Sequence, residues 1–150
     1  MDYVEYCKQL KNQFYLDFIV WVCLSILLAI LCSFAIYLLV KRRTKWDIIG
    51  LILLVIFMAV SLFQLHKYMN DFSLVKKNEI YIATGTAIST DAQKSKDTPG
   101  RYIRFRIDDG AELNLNLYYG QIYEGDRFEI VYLPNTGHAV IVQKLKSKYK

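Results

Sequence analysis

Phe18 to Val40 reads FIVWVCLSILLAILCSFAIYLLV, Lys41 to Asp47 reads KRRTKWD, and Ile48 to Leu65 reads IIGLILLVIFMAVSLFQL. The two flanking runs hold 23 and 18 residues without a charge, and the link between them holds four Lys/Arg in five positions. The hydrocarbon layer needs about 20 helical residues. A helix satisfies its own backbone there, as an open strand cannot. The pattern predicts a transmembrane hairpin over 17–68, with spans at about 18–40 and 47–66. The first run is too long for a signal-peptide core and is followed by basic residues rather than a small-residue cleavage site.

The link also predicts orientation. Lys41, Arg42, Arg43 and Lys45 outnumber Lys8 and Lys11 before the first span, and Lys67, Lys76 and Lys77 after the second. The denser cluster stays cytoplasmic. Both termini are then expected to be extracytoplasmic. Thr44 to Asp47 has capping-box form for the second helix. Ser25, Ala29 and Ser33 recur every fourth residue, a small-residue stripe that suits close packing against the second helix or homodimerisation. Gln64 and His66 fall at the outer interface, where side chains reach water.

Working outward, residues 1–16 form an amphipathic pattern. Tyr3, Tyr6, Cys7, Leu10 and Phe14 share one arc, opposite Asp2, Glu5, Lys8, Gln9, Lys11 and Asn12. This predicts an interfacial helix, with a bend near Asp17 before the first span. The rival use of the arc is packing against the C-terminal domain. Residues 69–78 read as a linker.

From residue 79 to 145 the period becomes two. Ile80, Ile82, Thr84, Thr86 and Ile88 alternate with Tyr81, Ala83, Gly85 and Ala87. A polar loop, 89–100, follows. Ile103, Phe105 and Ile107 alternate with Tyr102, Arg104 and Arg106, and Leu113, Leu115 and Leu117 with Glu112, Asn114 and Asn116. A two-residue turn would set Ile107 opposite Glu112. A three-residue Asp108-Asp109-Gly110 loop sets Phe105 opposite Leu113 and Arg106 opposite Glu112, which is chemically consistent throughout. Gly110 is therefore expected in the left-handed conformation. Residues 126–133 and 139–145 supply two more strands around the turn at Pro134, and 146–150 is a basic tail. The expected fold is membrane α+β, with a small antiparallel five-stranded β-barrel, SH3-like or OB-like, after the hairpin.

Gly125-Asp126-Arg127-Phe128-Glu129-Ile130-Val131-Tyr132-Leu133-Pro134, followed by Ala139-Val140-Ile141, resembles the end of poorly characterised families of small bacterial membrane proteins. These join transmembrane helices to a compact β-domain, and a Gly-Asp turn leads there into a strand ending in Tyr-x-Pro. The resemblance implies a bacterial plasma (inner) membrane location and carries no catalytic residue.

Chemistry is sparse. Cys7, Cys23 and Cys32 lack metal spacing, and two of them lie in the first span. Cys7 leaves an intermolecular disulfide as the alternative to a free thiol. His66 and His138 have no His or Cys nearby in sequence. No nucleophile elbow or phosphate loop is present. The expectation is no enzyme, no cofactor and no metal. Tyr118, Tyr119 and Tyr123 cluster near Gly120 as a candidate partner or lipid surface. Tyr102, Arg104 and Arg106 form a second candidate face. Glu112 opposite Arg106, and a C-terminal half nearly balanced in charge, argue against nucleic acid. The expected partners are the bilayer, a protein, and optionally a second copy. The leading expectation is a non-enzymatic interaction module. An immunity-type protein that intercepts a toxin or bacteriocin and an accessory transport subunit are the alternatives.

Overall fold

The structure, a computed structural model, describes residues 3–42, 45–90, 101–117 and 122–146. Two helices, α1 (Tyr3–Arg42) and α2 (Lys45–Lys77), precede five strands: β1 (Tyr81–Thr90), β2 (Arg101–Ile107), β3 (Glu112–Leu117), β4 (Arg127–Tyr132) and β5 (His138–Lys146). The chain divides into two compact units, one of Tyr15–Met69 and one of Met1–Phe14 with Asn70–Lys150. Each is described separately below. Thr44, with its proposed cap, and the 91–100 loop lie outside the described residues.

The 15–69 unit is a helical hairpin. Both helices are long and apolar enough to cross a membrane, and only 6% of each apolar window is buried. Among the shielded positions, Phe18, Trp21, Ser25, Leu28, Cys32, Ala35 and Leu39 on α1, and Leu51, Leu54, Met58, Ser61, Leu65 and Tyr68 on α2, follow alternating spacings of three and four, the 3.5-residue repeat of a two-helix seam. Asp17, Val22, Leu38, Asp47, Gln64 and Lys67 are half-buried beside them. Two contacts fix the register of the seam. Ser25 Oγ and Ser61 Oγ share a 2.7 Å hydrogen bond, and the Phe18 and Tyr68 rings lie 6.3 Å apart. Both pairs are symmetric about the 41–45 link, as a tight antiparallel hairpin requires.

The other unit is a barrel with helical segments packed on it. The strands close in the order β1-β2-β3-β5-β4. β1 is antiparallel to both β2 and β4, whereas β3 and β5 are parallel over Asn116↔His138 and Leu117↔Ala139. The sheet is therefore mixed, and the wholly antiparallel expectation is corrected. β5 continues from the turn after β4 and reaches β3 in the same direction, a Greek-key closure with no local sequence signal.

Phe105, Phe128, Ile130, Leu115 and Leu117 fill the barrel, each at most 1% exposed. β1 faces them with its small residues, Ala83, Gly85 and Ala87, and turns Ile82 outward at 58% exposure. A barrel of five strands is narrow, so large residues on some strands require small ones on others. Gly85 is the extreme case: an added Cβ would lie 2.2 Å from the Arg106 carbonyl oxygen and 2.7 Å from the Phe105 ring. A bulge between Ala87 and Ser89 then bends β1.

The β2–β3 hairpin follows the expected register. Phe105 pairs Leu113, Ile103 pairs Leu115, and Arg106 pairs Glu112. Ile107 N–H bonds the Ala111 carbonyl at 2.9 Å, Gly110 N–H bonds the Ile107 carbonyl at 2.9 Å, and Gly110 has φ +94°.

α1 is continuous from Tyr3 to Arg42, and Asp17 lies within it. Its N-terminal arc is used against the β-strands: Leu10 and Phe14 are fully buried, and the Phe14 ring meets His138 edge-on at 6.2 Å. Residues 69–77 are not a linker but the end of α2. No Gly or Pro interrupts them, and Tyr68, Asp71 and Val75 continue the shielded face. The helix stops at Asn78, which has φ +61°. Asn78 N–H bonds the Val75 carbonyl at 3.3 Å and Glu79 N–H bonds the Leu74 carbonyl at 2.9 Å, a Schellman stop.

These helical ends explain why β4 is buried on both faces. Phe128, Ile130 and Tyr132 point into the barrel. Val131, Leu133 and Val140 are also at most 8% exposed, and Leu10, Phe14 and Val75 of the helical ends at most 1%. At about 25 cal/mol per Å2 of apolar area, each of these large side chains contributes on the order of 2 kcal/mol.

Candidate interaction surface

The outward face of β2 and β3 carries three cross-strand pairs: Tyr102 with Asn116, Arg104 with Asn114, and Arg106 with Glu112. Alternation puts them there, because Ile103, Phe105 and Leu115 claim the interior. Tyr102 is 64% exposed. Arg104 Nε donates to Ser89 Oγ at 3.1 Å. Arg106 pairs with Glu112 Oε1 at 2.7 Å, both side chains about half exposed. At the adjacent barrel end Arg127 pairs with Asp108 at 2.6 Å. Such exposed pairs add little stability, but they hold the guanidinium groups in place and cancel their charge locally. Arg104, bonded to a hydroxyl, keeps its charge beside the exposed Tyr102.

Tyr123 belongs to a different cluster. Asp126, fully buried, accepts the Tyr123 N–H at 3.0 Å and the Lys144 ammonium at 2.6 Å. Lys144 Nζ lies 5.6 Å from both the Tyr123 and Phe128 ring centres. The carboxylate, the ammonium and two aromatic faces thus close one end of the barrel. Gly125, at φ +87°, donates its N–H to the Ala87 carbonyl at 2.8 Å beside the β1 bulge. The Gly-Asp element is a structural corner, and Tyr123 is 45% exposed on it. Tyr118 and Tyr119 lie outside the described residues.

The small-residue stripe divides. Ser25 is buried in the seam, while Ala29 and Ser33 are exposed. Steps of four residues drift about 40° each around a helix, so they leave a seam that repeats every 3.5. Ser33 Oγ turns back to the Ala29 carbonyl at 2.9 Å.

Sequence reasoning missed the strongest polar anchor of the β-unit. Asp71, fully buried, accepts four hydrogen bonds from the β4–β5 turn. Its Oδ1 takes Asn135 N at 3.2 Å and Asn135 Nδ2 at 2.7 Å. Its Oδ2 takes Thr136 N and Thr136 Oγ1, both at 2.7 Å. Elsewhere on the unit Tyr3 donates its hydroxyl to Glu129 Oε1 at 2.5 Å, and that bond raises the phenol pKa above its ordinary value. Burial, helped by Tyr81 at 5.8 Å and by Asp109, raises that of Tyr132.

Among the described residues no group of His, Cys, Asp and Glu is arranged to hold a metal ion. No family model matches the chain, and no curated protein or solved structure matches it either.

Proposed function

We propose that this is a non-enzymatic integral membrane protein that presents its β-barrel as a protein-binding module on the extracytoplasmic face of a bacterial plasma membrane. The observation that carries the reading is a contrast in burial. The β-unit buries its own core, while 6% of each helix window is covered by the chain. Lipid is the solvent that suits the remainder. The basic link at 41–45 supports a cytoplasmic turn, and hence extracytoplasmic termini. The strand order, with β1 between β2 and β4 and β3 parallel to β5, favours the OB-like over the SH3-like form.

The β2–β3 face suits a protein better than nucleic acid. Arg106 and Arg127 already have carboxylate partners, whereas phosphate binding needs free cations. An exposed Tyr flanked by held Arg and Asn groups matches the composition of protein contacts. Neither span contains a charged residue between 18 and 40 or between 48 and 65, so nothing favours an ion or proton path. A photo-crosslinking side chain at Tyr102, in the full chain in its native membrane, tests the proposal. It should capture one defined protein, and Arg104→Glu should abolish the capture. Recovery of no specific protein would overturn it.

A further inference from the structure

A cavity of about 550 Å3 is lined by Tyr3, Val4, Cys7, Lys8 and Lys11 of α1 and by Asn78, the residue that stops α2. Its volume lies within the range of about 300–1,000 Å3 typical of small-molecule sites. Its walls are almost wholly apolar. Val4 is 74% exposed, and Cys7 is a free, half-buried thiol. The polar groups are cationic or neutral. Lys11 Nζ bonds Asn78 Oδ1, which ties the two helical segments together across the floor. Lys8 is exposed beside it. Lys76 and Lys77 close the last turn of α2 just before Asn78. Of the acidic groups, Glu5 lies one turn before Lys8, Glu79 is next to Asn78, and Glu129 accepts the Tyr3 hydroxyl. Among the described residues, four lysines against these three glutamates leave this end of the unit net positive.

An apolar trough with a cationic rim selects one chemistry. A single alkyl chain would cover the exposed faces of Tyr3, Val4 and Cys7, at about 0.8 kcal/mol per buried CH2 group. An anionic head would pair with Lys8 and the neighbouring ammonium groups. We propose that this groove binds a single-chain anionic amphiphile, such as a monoacyl lipid with a phosphate head. The site is separate from the β2–β3 face.

Cys7 reports occupancy directly. The full chain carrying Cys23→Ala and Cys32→Ala, in phosphatidylcholine nanodiscs, has Cys7 as its one thiol. Maleimide labelling of Cys7 is timed with and without tetradecyl phosphate. At ten times its dissociation constant the probe should slow labelling about tenfold. Tetradecanol, of equal chain length and no charge, should protect far less. Lys8→Glu should remove the protection, and Lys8→Arg should keep it. Equal protection by the alcohol and the phosphate would reduce the effect to partition into the disc and overturn the proposal. Absence of protection by the phosphate would also overturn it, as would full protection in Lys8→Glu.

Discussion

Replacing Asp71 by Ala should detach the β4–β5 turn from α2. The substitution removes the acceptor of four hydrogen bonds at a site with no solvent exposure. The Asn135 side chain and the Thr136 hydroxyl can turn toward water. The two backbone N–H groups cannot follow without moving the turn, because Gly137 N–H is bonded to the Leu133 carbonyl at 3.0 Å and Leu133 N–H to the His138 carbonyl at 2.9 Å. A buried donor left unsatisfied costs about 1–3 kcal/mol, so two cost about 2–4 kcal/mol after partial relaxation. Native domains have about 5–15 kcal/mol in all. With a urea slope of about 1–1.5 kcal/mol per M for a small domain, the midpoint should fall by roughly 2 M. The assay is urea unfolding of the full chain in detergent micelles, followed by the strand signal in circular dichroism. Asp71→Asn keeps one acceptor oxygen and should fall between wild type and Ala. Hydrogen exchange at the Thr136 amide should accelerate in both variants. A midpoint shift below about 0.3 M for Asp71→Ala, equivalent to under 0.5 kcal/mol at that slope, would refute the reasoning and show the turn to be held by other contacts.

Gly110→Val should lower the same midpoint more than Gly110→Asn does, because φ +94° costs a β-branched residue about 1 kcal/mol or more; equal midpoints would reject the left-handed assignment. Ser25→Ala, Ser61→Ala and the double variant form a cycle whose coupling should be about 0.6 kcal/mol, with a ceiling of about 1.7, measured by steric trapping of the hairpin; zero coupling would remove that contact from the seam. The Tyr3–Glu129 bond should respond to alkali. Because the folded phenol is raised above 10.0, its contribution is fully present below that value and is lost as pH rises through the raised pKa. Ring-selective NMR should show Tyr3 titrating above the ordinary tyrosine value of 10.0, and titration at that value would exclude a persistent bond.

The hairpin and the strands were legible because both are written in local periodicity. Ile103, Phe105, Leu113 and Leu115 alone set the β2–β3 register, since a one-residue slip would bury Glu112. The parallel β3–β5 closure was not legible. It rests on two residue pairs, Asn116↔His138 and Leu117↔Ala139, and no nearby residue announces it. Asp71 was hidden for the same reason: its partners lie 64 and 65 positions away. The arc of Leu10 and Phe14 was visible, but an apolar helix face suits lipid and protein alike, and only the tertiary fold shows that it covers β4 and β5. Asn78 after Lys76 and Lys77 is a readable helix-stop signal, but residues 69–78, MNDFSLVKKN, mix polar and apolar side chains as a linker also does. Of the candidate face, Tyr102, Arg104 and Arg106 followed from strand alternation. The neutralisation of Arg106 followed from its pairing with Glu112, whereas that of Arg127 by Asp108 joins distant segments.

Cysteine accessibility on intact cells tests the central claim most directly. In a chain whose three native cysteines are replaced, one new cysteine is placed at Glu124, exposed on the β-unit, or at Lys45, exposed at the start of α2. A membrane-impermeant maleimide should label Glu124→Cys on intact cells and Lys45→Cys only after lysis. The reverse pattern would place the β-unit in the cytoplasm, and labelling of both on intact cells would contradict a membrane-spanning hairpin.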